Sequence, residues 1–105
     1  MLVFTDDNFD SELRNNEPIL VEFYSPLCGH CTTMAPIYSD AAMELRLNTP
    51  PYQVAKVDIT ANPELKDRFD ITSYPQFVFF RDGQPIEERL FGEQTKEDIV
   101  NFVLE

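Results

Sequence analysis

Residues 19–36, ILVEFYSPLCGHCTTMAP, indicate the architecture most clearly, because a strand, a break and the start of a long helix follow one another within them. Ile19–Tyr24 is rich in β-forming residues and mostly apolar, which predicts a strand covered on both faces. A Ser-Pro-Leu break follows, and helical spacing of apolar residues then runs from about residue 28 to residue 47. Cys28 and Cys31 therefore stand where this strand passes into the helix.

Outward from this stretch, strand-like and helix-like segments alternate. Further strands are predicted at residues 2–4, 54–58, 76–80 and 86–90, and further helices at residues 6–14, at 62–69 and after Thr95. Asn62 is the predicted N-cap of the 62–69 helix, and Asp82-Gly83 predicts a tight hairpin. The order β-α-β-α-β-α-β-β-α predicts an α/β fold, a mixed central sheet with helices on both faces. Strands joined by helices are expected to be parallel and the hairpin strand antiparallel.

The composition excludes several classes of protein. The chain has 105 residues and a net charge of −11, from 8 Lys and Arg against 19 Asp and Glu. We expect one domain, residues 1–105, with neither nucleic acid nor a membrane surface as its partner, because both attract cationic proteins. A hydrophobic content of 43% is enough for a core. No apolar run approaches the roughly 20 residues of a membrane span, and no signal peptide is visible.

The two cysteines form a Cys-x-x-Cys pair with Gly29 and His30 between them. At a helix N-terminus, free N–H groups and the helix dipole favour the Cys28 thiolate, which is the reactive form. Cys31, nearly one turn on, is placed to resolve a mixed disulfide between Cys28 and a substrate. Gly29 is expected to let the loop pack tightly. His30, when protonated, is expected to place a cation beside the thiolate.

Two other interpretations of the pair stay open. The cysteines could supply half of a shared zinc site, since with a single His in the chain a tetrahedral site needs a second molecule or carboxylate ligands. They could also be buried and inert. Their position between a strand and a helix favours redox chemistry over both.

Four segments together resemble a known family: residues 21–31, 34–36, 55–58 and 73–75 are similar to the catalytic thioredoxin-like domain of protein disulfide isomerases. The resemblance implies a thioredoxin-like fold and an enzyme that forms, reduces and rearranges disulfides in unfolded client proteins. It implies no cofactor and no metal beyond the redox-active pair, with glutathione or an upstream oxidase exchanging electrons with it. It also implies a monomeric domain, excised from a longer multidomain protein of the endoplasmic reticulum lumen, whose signal and retention sequences lie outside these residues.

The resemblance also assigns roles to residues outside the Cys-x-x-Cys pair. It implies a cis peptide bond before Pro75, with that loop beside Cys28 and the Tyr74 main chain offering hydrogen bonds to an extended client. It makes Glu22 a buried carboxylate that is paired with Lys56 and accepts a proton from Cys31. Burial should raise the pKa of Glu22 and fit it for that role.

Three positions depart from the family pattern. Leu27 replaces a usual Trp in the client-facing loop, Thr32 replaces a common Lys, and Gln94 replaces an expected Arg. These replacements predict a less activated site that still exchanges disulfides. Two alternative functions remain: a general thioredoxin-like disulfide reductase, and a client-binding chaperone module in which Leu27 and Tyr74 form an apolar patch and the cysteines are incidental.

Overall fold

The computed structural model describes all 105 residues and contains the nine elements in the predicted order. They are β1 (Leu2–Val3), α1 (Phe9–Asn16), β2 (Ile19–Tyr24), α2 (Gly29–Leu47), β3 (Gln53–Asp58), α3 (Pro63–Arg68), β4 (Gln76–Arg81), β5 (Gln84–Phe91) and α4 (Lys96–Leu104). None of the four helices combines the length and the apolarity that crossing a bilayer requires.

The five strands form one mixed sheet in the order β1-β3-β2-β4-β5. Strands β1, β3 and β2 are parallel, whereas β4 is antiparallel to β2, and β5 is antiparallel to β4. The predicted α/β class and mixed sheet are confirmed. In the register of β2 and β3, Glu22 stands opposite Lys56.

The direction of β4 differs from the expectation that helix-linked strands are parallel. Strand β3 and helix α3 have six residues each. Six residues span about 20 Å in a strand but only about 9 Å in a helix. Helix α3 is therefore too short to return the chain to the end of the sheet where a parallel strand would begin. Strand β4 instead starts near the end at which β3 finishes and runs back.

Alternation along β2 divides the core between two faces of the sheet. Ile19, Val21 and Phe23 pack on the face that carries α1 and α3, whereas Leu20 packs with α2 and α4. Glu22 shares the parity of Leu20 and so lies on the face of α2, among apolar neighbours. The Tyr38 hydroxyl on α2 donates a 2.8 Å hydrogen bond to the Ala55 carbonyl, which fixes the helix against β3.

Helix α1 begins three residues later than predicted, because residues 6–8 form a turn in which the Asn8 and Phe9 N–H groups donate to the Thr5 carbonyl, and Asp6 contacts another helix. The Asp6 carboxylate accepts hydrogen bonds from the backbone N–H groups of Glu64 (3.3 Å) and Leu65 (3.0 Å), in the first turn of α3. Asn62 occupies the predicted N-cap position of α3, but its side chain makes no capping bond. Its amide accepts from the Asp6 N–H and donates to the Asp58 carbonyl, both at 2.8 Å.

The hairpin and the last helix begin as the sequence predicts. Asp82 and Gly83 have φ values of 56° and 78°, the left-handed conformations that a two-residue turn of type I′ requires. Thr95 caps α4 through a complete capping box, in which the Thr95 hydroxyl accepts from the Asp98 N–H and the Asp98 carboxylate accepts from the Thr95 N–H.

Candidate active site

Cys28 is the N-cap of α2, in an extended backbone conformation with φ −94° and ψ 124°. The preceding turn is closed by the Cys28 N–H, which donates to the Ser25 carbonyl at 3.2 Å. The Cys28 sulfur accepts a hydrogen bond from the Cys31 N–H at 3.3 Å, the position that a capping oxygen takes in most helices. The predicted placement of Cys28 at the helix start is thus observed.

The surroundings of Cys28 favour its thiolate. The hydrogen bond from the Cys31 thiol is the largest influence that lowers the pKa of Cys28 below its ordinary value. Burial is the next influence and raises this pKa, whereas hydrogen bonds from the backbone N–H groups of Cys31 and His30 lower it further, and the Glu22 charge raises it slightly; the net shift is downward. The thiolate is therefore held by donors that face the sulfur at the first turn of the helix.

Cys31 has the opposite character. Its side chain is only 5% exposed, and burial is the main reason why the pKa of its thiol rises to about 12. The neighbouring Cys28 sulfur and the Glu22 carboxylate raise it as well. Cys31 therefore stays protonated in the reduced protein, and it needs a base before it can act as a nucleophile.

Glu22 is the buried carboxylate that the resemblance implies. It is 4% exposed, and its Oε2 atom has no hydrogen-bond partner. Burial raises its pKa to about 7, while the positive charge of Lys56 lowers it to a smaller extent. The expected direct pairing of Glu22 with Lys56 is wrong, because neither side chain takes part in an ion pair. The Lys56 ammonium lies 5.7 Å from the centroid of the Tyr24 ring instead.

A cleft of about 250 Å³ joins Glu22 to Cys31 and opens between α2 and the β3 side of the sheet. Thr32, Ser39 and Lys56 contribute to its polar lining. Its volume is sufficient for several water molecules, each of which occupies about 30 Å³ in the liquid. Proton transfer between the Cys31 thiol and the Glu22 carboxylate therefore has both an acceptor of suitable pKa and room for a bridging water.

The loop before β4 faces the reactive sulfur. The Tyr74–Pro75 peptide bond is cis, as the resemblance implies, and the Cys28 sulfur lies 3.9 Å from the Tyr74 carbonyl oxygen. Leu27 and Tyr74 are 89% and 41% exposed. Phe91 is 59% exposed and ends a strand that pairs beside this loop, with the adjacent Gly92 N–H donating to the Pro75 carbonyl at 2.8 Å. Sequence reasoning did not find Phe91, since an apolar residue on a strand usually faces the core.

The two residues between the cysteines differ from expectation. Gly29 is not needed for tight packing: its φ is not positive, and a Cβ atom there would meet nothing within 4 Å. The His30 imidazole makes no hydrogen bond to the Cys28 sulfur. Its Nδ1 atom lies 2.5 Å from the Glu93 carboxylate, a partner 63 residues away that sequence reasoning did not find.

Thr32 and Gln94, which stand where the resemblance led us to expect Lys and Arg, carry no charge and form hydrogen bonds instead. Thr32 donates its hydroxyl to the Cys28 carbonyl at 3.1 Å. Gln94 donates its side-chain amide to the Phe91 carbonyl at 2.9 Å and its backbone N–H to the Met34 sulfur at 3.2 Å. Neither side chain adds positive charge near the cysteines. No group of three or more His, Cys, Asp or Glu side chains is arranged to hold a metal ion, and a shared zinc site would use ligands from a second molecule.

Comparison with known proteins agrees with this geometry. The chain is 45% identical over 104 residues to human protein disulfide-isomerase A4 and 43% identical over 103 residues to protein disulfide-isomerase of Drosophila melanogaster. The two alignments include 99% and 98% of this chain, but only 16% and 20% of the length of the relatives. The chain thus spans about a fifth or less of the curated relatives that it matches.

Solved structures share the fold. The first thioredoxin domain of mouse protein disulfide-isomerase A4 matches with a TM-score of 0.87 at 39% identity, covering 97% of this chain and 71% of that one. Thioredoxin of Fasciola hepatica matches with a TM-score of 0.85 at 28% identity, covering 99% and 97%. The sequence model of the thioredoxin family matches residues 1–105. The resemblance to protein disulfide isomerase domains is confirmed, and the chain belongs to the thioredoxin family.

Proposed function

We propose that this chain forms, reduces and rearranges disulfide bonds in client proteins through Cys28 and Cys31. Membership of the thioredoxin family, together with a Cys-x-x-Cys pair, supports thiol–disulfide oxidoreductase chemistry in general. The observation that carries the proposal is the difference between the two sulfurs. Cys28 is accessible and has a lowered pKa, whereas Cys31 is buried, has a raised pKa and adjoins a carboxylate.

Reduction of a client disulfide proceeds in two displacements. The Cys28 thiolate attacks one client sulfur, so that a mixed disulfide forms, the client disulfide breaks and the second client sulfur leaves as a thiolate. Cys31 then passes its proton towards Glu22 and attacks the Cys28 sulfur. The Cys28–Cys31 disulfide forms, the first client sulfur leaves, and the client has gained two electrons.

The reverse sequence oxidises a client, and isomerisation needs only the mixed disulfide and no net electron transfer. Glutathione or an upstream oxidase resets the pair. The proposal includes no metal and no organic cofactor, since the electrons move between sulfur atoms.

Unfolded client proteins are the proposed substrates. Exposed apolar side chains stand next to Cys28 in the sequence (Leu27), on the loop that faces its sulfur (Tyr74) and on the strand that pairs beside that loop (Phe91). The backbone of the Tyr74–Pro75 loop can pair with an extended chain without reading its side chains. A net charge of −11 supports partners other than nucleic acid and anionic membranes. We place this domain, as a monomer, within a longer protein of the endoplasmic reticulum lumen, on the strength of its similarity to protein disulfide isomerases.

Two other functions have an observation in their favour. The match to a thioredoxin favours a general disulfide reductase. The redox potential in a glutathione buffer separates such a reductase from an isomerase, because the potential of thioredoxin is about −270 mV and that of protein disulfide isomerase about −180 mV. The exposed Leu27, Tyr74 and Phe91 favour a chaperone module whose cysteines play no part.

Refolding of a scrambled disulfide protein tests the proposal. We expect Cys28→Ala to abolish isomerisation, whereas Met43→Ala, a change at an exposed residue of α2 outside the cleft, leaves the rate unchanged. Isomerisation by Cys28→Ala at the wild-type rate would contradict the proposal and favour the chaperone module.

A further inference from the structure

The contact between His30 and Glu93 is the one ion pair that touches the Cys-x-x-Cys segment. The His30 imidazole is 72% exposed and the Glu93 side chain 47% exposed, so solvent alone would leave the ring free to rotate. Its Nδ1 atom is instead directed at the Glu93 carboxylate. His30 contributes to the Cys28 thiolate through its backbone N–H, and its ring makes no hydrogen bond to the sulfur.

Glu93 stands on a loop that is fixed on both sides. Before it, the Gly92 N–H donates to the Pro75 carbonyl at 2.8 Å. After it, the Gln94 N–H donates to the Met34 sulfur on α2, and Thr95 opens the capping box of α4. The backbone that carries the Glu93 carboxylate is therefore held on both sides, close to the second residue of α2.

We propose that Glu93 is a positioning residue that holds the His30 ring away from the Cys28 sulfur and so limits how oxidising the pair is. This inference rests on the proposed function. When His30 is protonated, it forms an ion pair with Glu93, and a pair of opposite charges exerts a weaker field at a distance than a single cation does. The Cys28 thiolate is then stabilised by the Cys31 thiol and by backbone donors, with little added by the imidazolium. A histidine released from Glu93 would add its charge and stabilise the reduced form.

The test is the equilibrium constant between the dithiol and disulfide forms in a glutathione buffer, for wild type, Glu93→Gln, His30→Ala and the double variant. The measurement is made at pH 6, because the proposal concerns the cationic form of the imidazole. Glu97→Gln is the matched control, since it removes the same charge from the first turn of α4 without touching His30.

We expect Glu93→Gln to shift the equilibrium towards the dithiol form by up to about fivefold, the range of an exposed ion pair. The thiol pKa of Cys28, followed by thiolate absorbance, should fall in the same variant. In the His30→Ala background the shift should shrink to that of the Glu97→Gln control.

Three results would overturn the inference: no shift, a shift towards the disulfide form, or the same shift with and without His30. If the wild-type protein fails to equilibrate with glutathione at all, the proposed function fails together with the inference. Normal exchange by wild type with an unchanged Glu93→Gln variant would overturn the inference alone.

Discussion

Replacing the buried Glu22 by Gln should change how the stability of the reduced protein depends on pH. Burial raises the pKa of Glu22 from its ordinary 4.5 to about 7. An acid whose pKa is raised by folding binds its proton more tightly in the native state than in the unfolded state. The wild-type protein should therefore lose stability as the pH rises from 4.5 towards 7, and the loss should level off above pH 7.

At about 1.36 kcal/mol per pKa unit, the rise in the pKa of Glu22 from 4.5 to about 7 means that burial disfavours the charged carboxylate by about 3 kcal/mol relative to the protonated acid. For a single carboxyl group with a pKa of 4.5 in the unfolded state and about 7 in the folded state, the free energy of unfolding falls by about 2.5 kcal/mol from pH 5 to pH 8. Glutamine has nearly the same shape and no charge to bury. The stability of Glu22→Gln relative to wild type should therefore increase by about 2.5 kcal/mol from pH 5 to pH 8.

Urea unfolding of both proteins at pH 5 and pH 8, in the presence of a reductant, measures this difference. Glu87→Gln serves as the control, because Glu87 is an exposed residue of β5 and its substitution also removes one carboxylate. The same relative stability of Glu22→Gln at both pH values would mean that burial does not disfavour the charged form of Glu22, contrary to this prediction.

Three further predictions concern the two sulfurs, the base and the helix contacts. Cys28 should react with iodoacetamide much faster than Cys31 from pH 6 to pH 8, as followed by mass spectrometry of each site; equal rates would contradict the asymmetry of their pKa values. Glu22→Gln should slow closure of the Cys28–Cys31 disulfide in single-turnover exchange while leaving formation of the mixed disulfide nearly unchanged. An unaffected closure rate would remove Glu22 from the proton transfer. Asp6→Ala should reduce the free energy of unfolding by about 1 kcal/mol through loss of its bonds to α3, whereas the exposed Asp7→Ala should not; equal effects would count against the cap.

Local sequence signals predicted the parts of the site that depend on neighbouring residues. The break after β2 and the helical spacing beyond it placed Cys28 at the start of α2, and Cys31 followed at a fixed separation of three residues. The burial of Glu22 came from the family resemblance instead, since a carboxylate in an apolar strand can also lie on an exposed edge. The turn residues Asp82 and Gly83 predicted the hairpin because their backbone conformations are local.

Contacts between distant segments could not be predicted in the same way. The bond from Asp6 to α3 joins residues 58 and 59 positions apart, and the His30–Glu93 contact joins residues 63 positions apart. Such contacts leave no periodic pattern in the sequence, because they depend on how the helices pack on the sheet. The antiparallel direction of β4 was missed for a different reason: helix-linked strands were expected to be parallel whatever the helix length, although the helix predicted at 62–69 is already too short to span the sheet.

The most direct test of the account is to trap a client on Cys28. In Cys31→Ser the second displacement cannot occur, so incubation with a scrambled disulfide protein should accumulate a mixed disulfide that a reductant releases and that peptide mapping assigns to Cys28. Absence of that adduct, with the variant folded and its Cys28 thiol still titratable, would contradict the claim that this sulfur captures clients and that its partner resolves them.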